Sequence, residues 1–88
     1  MNKQLLHYGQ DPDKPEFYNL IIKASHIPSP NEHKSIKDEL LNLGFRVYQI
    51  DESTIEAIFK NRYLEVSDKL RELDKLGWKF GDNPAEKG

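Results

Sequence analysis

The hydrophobic pattern first becomes regular at residues 17–24 (FYNLIIKA), which are rich in aromatic and β-branched side chains. Turn-forming residues precede this segment, so its composition predicts a β-strand. Alternate residues of a strand point to opposite faces of a sheet. The more apolar face, expected to point to the core, consists of Tyr18, Leu20, Ile22 and Ala24. The opposite face carries Phe17, Asn19, Ile21 and Lys23.

A helical period begins after Ser29. This serine is a predicted N-cap, Pro30 suits the first helical position, and Glu32 completes a capping box with Ser29. Gly44 is the predicted end of the helix, because glycine tolerates the positive φ of a helix C-terminus. The apolar face of the helix repeats at spacings of four and three residues, at Ile36, Leu40 and Leu43.

A strand, a turn and a second helix are predicted beyond Gly44. Residues 45–50 (FRVYQI) suit a strand and residues 51–53 a turn. The C-terminal helix is expected to end at Leu76, before a short final strand at residues 78–80 (WKF). The apolar positions of that helix are Tyr63, Val66, Leu70 and Leu73.

Residues 54–61 (TIEAIFKN) fit two structures. Ser53 and Glu56 match a capping box, so one long helix is an alternative. An internal repeat favours a strand, since ELLNLGFRV at residues 39–47 matches ELDKLGWKF at residues 72–80. If the two halves are equivalent, a strand at about residues 54–60 precedes the second helix, with a helix cap near Asn61.

Strand, helix, strand, strand, helix, strand is the split βαβ pattern, which predicts an α+β protein of the ferredoxin-like (βαββαβ) type. In this prediction two helices cover one face of a four-stranded antiparallel sheet. The alternative is a three-stranded sheet with one long C-terminal helix at residues 54–77. Residues 1–15, with two prolines and two aspartates near their end, are predicted to be an N-terminal arm. Residues 16–81 then form a single α+β domain, and residues 82–88 a polar C-terminal tail.

The predicted core combines the inward side chains of the strands with the apolar faces of both helices. Its members are Tyr18, Leu20, Ile22, Ile36, Leu40, Leu43, Val47, Ile55, Ala57, Phe59, Val66, Leu70, Leu73 and Leu76.

Composition excludes several classes of function. A chain of 88 residues is the size of one domain, and the absence of cysteine excludes disulfide scaffolds, thiolate nucleophiles and Cys-ligated zinc. The formal charge of −2 provides no global attraction to nucleic acid or to anionic membranes. The chain has no apolar run long enough to span a membrane and no signal-peptide pattern. These features predict a cytoplasmic protein with no membrane partner and no cofactor.

Two histidines are the first candidates for chemistry. His26 follows the first predicted strand and His33 lies in the first helical turn, so the two could hold a divalent metal ion with Glu32 or Asp38 as a third ligand. The spacing matches no structural zinc pattern, and a loop histidine and a solvent-exposed helical histidine are the favoured explanation. Ser25 beside His26 suggests a nucleophile and base, but adjacent strand residues point to opposite faces. The sequence therefore predicts a non-enzymatic protein without catalytic or metal residues.

The remaining candidate is the sheet face that points away from the helices. This face is too apolar for a freely solvated sheet, and exposed apolar patches usually mark a partner. The expected function is protein–protein binding through this face, by a protein partner or a second copy of the chain. The candidate residues are Phe17, Ile21, Lys23, Tyr48, Ile58 and Lys60.

Two alternatives to this reading stay open. In the first, the N-terminal arm folds back over the face through three apolar residues, Leu5, Leu6 and Tyr8. In the second, the protein is a small RNA- or DNA-binding protein, since aromatic rings on a sheet face stack with bases. Phe17 and Tyr48 supply rings, whereas Glu56 places a negative charge in the middle of the sheet. The basic residues of the predicted face are Lys23, Arg46 and Lys60.

Overall fold

Four strands and two helices follow one another in residues 1–80, the part of the chain that the computed structural model describes. The elements are β1 (Asn2–Gln10), β2 (Phe17–Ser25), α1 (Pro30–Asn42), β3 (Arg46–Asp51), β4 (Thr54–Arg62) and α2 (Tyr63–Lys75). The strands form one antiparallel sheet in the order β1-β2-β4-β3. The predicted α+β class, with a four-stranded antiparallel sheet and two helices, is therefore confirmed.

The first predicted helix forms as expected. The hydroxyl of Ser29 accepts a hydrogen bond from the backbone N–H of Glu32, and Pro30 occupies the first helical turn. At the other end, Leu43 caps the helix and Gly44 has a φ of 93°. These local signals define α1 because each acts within a few residues of the helix end that it satisfies.

The choice between a strand and a long helix after residue 53 is resolved in favour of the strand. Residues Thr54–Arg62 form β4, and α2 begins only at Tyr63. Strand β4 lies in the middle of the sheet, paired with β2 on one side and β3 on the other. Its inward residues Ile55 and Ala57 are almost completely buried, so pairing on both edges and burial outweigh the local helical signal.

The prediction of an irregular N-terminal arm is wrong. Most of the segment forms β1, which pairs with β2 as a hairpin. A register irregularity between Leu5 and His7 inserts Leu6 as an extra residue. Such a bulge interrupts the alternation of apolar and polar positions, and this interruption concealed the strand from its sequence pattern.

The predicted final strand at residues 78–80 is also absent. That segment is irregular, and the edge position beside β2 is filled by β1 from the other end of the chain. The strand order therefore differs from the one expected for a ferredoxin-like sheet, because its fourth strand comes from the N-terminus. The predicted tail at residues 82–88 lies outside the described residues.

Both helices pack on the same face of the sheet and share one apolar core with it. The buried apolar residues are Leu20, Ile22, Ala24, Ile27, Ile36, Leu40, Phe45, Ile55, Ala57, Val66, Leu73 and Trp78. Most of the predicted core is buried or partly buried, whereas Leu76 is half exposed. The predicted core did not include Ile27, which lies in the loop before α1, or Phe45 and Trp78, which each follow the glycine after a helix and begin a predicted strand. Neither helix is long and apolar enough to cross a membrane.

Candidate functional site

The six candidate residues lie together on the sheet face opposite the helices, which we call the outer face. Directly opposed residues of antiparallel strands point to the same side of the sheet. Ile21 lies opposite Ile58, and Lys23 lies opposite Glu56. Tyr48 of β3 also lies opposite Glu56. The outer face thus includes the candidates Phe17, Ile21, Lys23, Tyr48, Ile58 and Lys60 together with Asn19, Arg46, Glu56 and Arg62, and β1 adds Gln4 and His7 to it.

The centre of the outer face is apolar. The neighbouring isoleucines Ile21 and Ile58 are partly exposed, and Phe17 is partly exposed toward one end of β2. Toward the edge strand β3, exposure rises to 46% for Tyr48 and 56% for Ile50. Ile50 lies at the register irregularity between Gln49 and Asp51 of β3. Apolar surface on this face therefore extends from the middle of the sheet to its β3 edge.

Basic side chains surround the apolar centre. Lys23, Lys60 and Arg62 lie on the outer side of β2 and β4, and Arg46 lies beside them on β3. Glu56 is an acidic residue on this face, and Asp51 at the end of β3 lies opposite Thr54 of β4. The outer face is therefore net positive, although the whole chain has a formal charge of −2.

Lys60 does not stand free on this face. Its ammonium Nζ lies 2.6 Å from the Oδ2 of Asp11, a nearly buried aspartate in the turn between β1 and β2. The other carboxylate oxygen of Asp11 accepts hydrogen bonds from the backbone N–H groups of Asp13 and Lys14. The hydrogen bond from Lys60 and those from the backbone lower the pKa of Asp11 from 3.8 to about 2. The pair fixes the β1–β2 turn to β4 and neutralises one of the four basic residues.

A shallow depression of about 480 Å³ lies at the β3 side of the outer face. It is lined by Gly44, Arg46, Tyr48, Ile58 and Lys60. An exposed tyrosine ring, an aliphatic side chain and the guanidinium of Arg46 thus meet in one concave region, with Lys60 held by Asp11 beside them. This combination suits an apolar side chain next to a negatively charged group.

The alternative in which Leu5, Leu6 and Tyr8 fold back over the outer face is not what the structure shows. Leu5 lies opposite Ile22 and Tyr8 opposite Leu20, so both side chains point to the helix side of the sheet. Leu5 packs against the core there. Strand β1 extends the sheet sideways instead of lying over it, and within residues 1–80 the outer face remains open.

The histidine candidates do not form a site. His26 is exposed in the loop after β2, with a φ of 56°. His33 is 8% exposed and packs at the start of α1, so the prediction of a solvent-exposed helical histidine is wrong. A shallow depression beside His33 is lined by Pro30, Gln49 and Glu52. Residues 1–80 contain no group of three His, Cys, Asp or Glu side chains arranged to hold a metal ion.

Two residues that belong to this region, Arg62 and Asp11, were not identified as site residues from the sequence. Arg62 continues the alternation of β4 past Lys60, where the strand was expected to stop, and a longer run of period two would have included it. Asp11 carries the usual signature of an aspartate turn, an Asp-Pro-Asp run, but its partner Lys60 is distant in sequence. No local signal connects these two residues.

Comparisons with known proteins assign neither a family nor a function to this chain. No protein-family model matches the chain, and searches of curated proteins and of solved structures give no significant match. The function must therefore be argued from the outer face itself.

Proposed function

We propose that this protein is a non-enzymatic interaction module that binds a protein partner through the outer face of its sheet. The observation that carries the proposal is the open apolar surface around Ile21, Ile58 and Tyr48, which lies opposite the helix-covered core. Exposure of apolar side chains to water is unfavourable. A partner that covers them removes this surface from water, and that burial favours binding.

The charge of the outer face indicates the chemistry of that partner. Lys23, Arg46 and Arg62 surround the apolar centre, whereas the chain as a whole is acidic. A partner with an apolar centre and an acidic rim matches this arrangement, because complementary potentials favour encounter and orientation. A second copy of the same face fits less well, since a two-fold axis would place these basic groups near their own copies.

The first test places negative charge in the apolar centre. The double substitution Phe17→Glu with Ile58→Glu is expected to abolish partner binding, because two carboxylates would have to be desolvated at the interface. A photo-crosslinking side chain at position 48 identifies the contacting partner in the native cell. Its affinity for the wild-type protein and the variant is then measured with purified components by isothermal titration calorimetry.

The matched control uses apolar residues on the helix side of the molecule. Leu41 on α1 and Leu64 on α2 are 48% and 72% exposed, so Leu41→Glu with Leu64→Glu adds the same two charges elsewhere. This control is expected to bind normally, and circular dichroism verifies that both variants are folded. Equal binding by wild type and the Phe17→Glu, Ile58→Glu variant would overturn the proposal.

Nucleic-acid binding is the second candidate function. It is favoured by the exposed Tyr48 ring next to the guanidinium-bearing Arg46 on the same strand. It is opposed by Glu56 beside Tyr48 and by the neutralisation of Lys60 by Asp11. Titration of single-stranded RNA and DNA at several salt concentrations tests it, and an affinity that falls steeply with salt and is lost in Arg46→Glu would favour it.

A further inference from the structure

The free edge of β1 carries an inference separate from the outer face. Strand β1 spans nine residues, Asn2–Gln10, and pairs on one side with β2. Within residues 1–80 its other side has no strand partner, because β1 stands at the end of the order β1-β2-β4-β3. A long unpaired edge presents backbone N–H and C=O groups that another strand satisfies readily. From this edge we infer that two copies of the chain pair through β1.

The two edges of the sheet differ in how they are protected. The β3 edge is shorter, at six residues, and has the charged residues Arg46 and Asp51 at its ends. Short length and charge are the devices by which proteins keep sheet edges from pairing. Strand β1 is longer and less charged, so the sheet is open to extension chiefly at this end.

Charge is what favours a second copy as the occupant. In a chain of which 32% is charged, β1 (NKQLLHYGQ) contains Lys3 as its sole Asp, Glu, Lys or Arg residue. The ammonium of Lys3 lies 4.8 Å from the centre of the Trp78 ring and donates to the carbonyl of Gly77, on the helix side of the same molecule. A two-fold axis brings like residues near one another, and an edge whose single lysine is directed to Trp78 of its own molecule tolerates this arrangement.

The positions of the apolar residues indicate the centre of the pairing. Leu6 stands at the irregularity in the middle of β1 and is 46% exposed, and its neighbour Leu5 is partly buried. An antiparallel pair of β1 strands with its axis between these leucines brings Leu5 of one copy opposite Leu6 of the other. On the helix side, this contact adjoins a groove of about 480 Å³ lined by Leu5, Tyr8, Leu70, Asp74, Trp78, Lys79 and Phe80. The apolar part of that groove continues the contact away from the strands.

The oligomeric state of the full chain tests the inference. Size-exclusion chromatography with light scattering is expected to give twice the 10.3 kDa mass of one chain. Leu6→Lys should yield the monomer mass, because each copy then places an ammonium at the axis. Ile50→Lys is the matched control, since Ile50 is an exposed residue at the irregularity of the opposite edge strand, and it should leave the dimer intact.

The absence of cysteine from the chain allows a second, independent measurement. A single cysteine introduced by Leu6→Cys should form a disulfide-linked dimer under mild oxidation, whereas Ile50→Cys should remain monomeric on a denaturing gel. If circular dichroism shows that Leu6→Lys is unfolded, the disulfide measurement decides whether two copies pair through β1. A monomeric wild type, a dimer that persists in folded Leu6→Lys, or crosslinking through position 50 instead of position 6 would each overturn the inference.

The pairing of two copies through β1 and the binding of a partner to the outer face are tested by different substitutions, so either can be contradicted without the other. Phe17→Glu with Ile58→Glu alters the outer face and should not change the mass of the dimer. Leu6→Lys should yield a monomer that still binds the partner of the outer face, with any loss confined to the avidity of a two-sited assembly.

Discussion

Asp11 joins two segments that are far apart in sequence. Its carboxylate holds the β1–β2 turn through the backbone N–H groups of Asp13 and Lys14, and binds Lys60 of β4. The hydrogen bond from Lys60 is the largest cause of the lowered pKa of Asp11, about 2 compared with 3.8. A carboxyl group whose pKa is lower in the folded protein than in the unfolded chain stabilises the fold above its unfolded pKa. That stabilisation is lost as the pH falls from about 4 to about 2.

Asp11→Asn tests whether the negative charge of Asp11 stabilises the fold. The asparagine retains an oxygen for the turn but removes the charge, so the free energy of unfolding should decrease at pH 7. The pH dependence of stability between about 4 and 2 should also become shallower than in wild type. Urea denaturation at a series of pH values measures both effects.

Asp13→Asn provides the control, because Asp13 is exposed and its role in the turn rests on its backbone N–H. This variant should retain the wild-type profile between pH 4 and 2. If Asp11→Asn and wild type lose stability in parallel over that range, the ion pair with Lys60 does not contribute as described.

At the scale of elements, the internal repeat encodes a helix ending. In α1 the N–H of Gly44 donates to the carbonyl of Leu41, and the N–H of Phe45 donates to that of Leu40. In α2 the groups 33 residues later make the same two bonds, Gly77 to Asp74 and Trp78 to Leu73. This is the Schellman motif, in which the residue after the glycine packs against the last helical turn.

The repeat therefore correctly predicts a strand before the second helix but wrongly predicts a strand after it. It correctly indicates that two helices end alike, and a strand does precede each helix. It does not require a strand to follow, since the motif is complete once Phe45 or Trp78 is buried. Strand β3 forms after Phe45 because β4 pairs with it, whereas the segment after Trp78 finds the edge beside β2 already taken by β1.

Substitution of the two cap glycines tests the equivalence of the helix ends. Gly44 and Gly77 have φ values of 93° and 88°, and an added Cβ would meet no atom closer than 3.5 Å at either position. The cost of alanine is therefore backbone strain alone, and each of Gly44→Ala and Gly77→Ala should lower the free energy of unfolding by about 1–2 kcal/mol.

Chemical denaturation followed by circular dichroism measures these losses. Gly9→Ala is the control, because Gly9 lies within β1 and does not have a positive φ. It should leave stability nearly unchanged or raise it slightly. A loss at Gly9 as large as that at Gly44 and Gly77 would contradict the explanation by positive φ.

At the scale of the whole molecule, Trp78 connects three parts of the fold. It is 2% exposed and belongs to the core. Its indole N–H donates to the carboxylate of Glu39 on α1, and the ammonium of Lys3 on β1 lies over its ring. Since Trp78 itself follows α2, one side chain contacts the first strand and the first helix from the end of the second helix.

Trp78→Ala should accordingly be strongly destabilising. Loss of a buried tryptophan side chain is expected to reduce the free energy of unfolding by about 3–5 kcal/mol. Urea denaturation monitored by circular dichroism is the suitable measurement, because the chain has no other tryptophan for fluorescence. Leu76→Ala serves as the control at a half-exposed site and should cost less than about 1 kcal/mol. Similar losses in the two variants would show that Trp78 does not hold these parts together.

That the candidate residues share one face of the sheet was predictable from the sequence, but the surroundings of that face were predictable only in part. Period two in residues 17–24 and 54–60 places Phe17, Ile21 and Ile58 on one face as soon as both segments are strands. Sequence reasoning could not show that Asp11 neutralises Lys60, because this contact depends on how the β1–β2 turn folds against β4. It also could not show that the N-terminal residues leave the face open, which follows from the register of β1.

Features that depend on near neighbours can be predicted from the amino-acid sequence. The N-cap at Ser29, the glycine caps and the alternation in β2 arise from residues a few positions apart, so they are readable without the fold. Which segment lies beside β2 depends instead on tertiary packing. The edge of a strand offers backbone groups that any extended segment satisfies, and Asn2–Gln10 reaches it through a short hairpin while residues 78–80 are held by the burial of Trp78. Within residues 1–80 the outer face is therefore open, and the edge of β1 next to it has no strand partner.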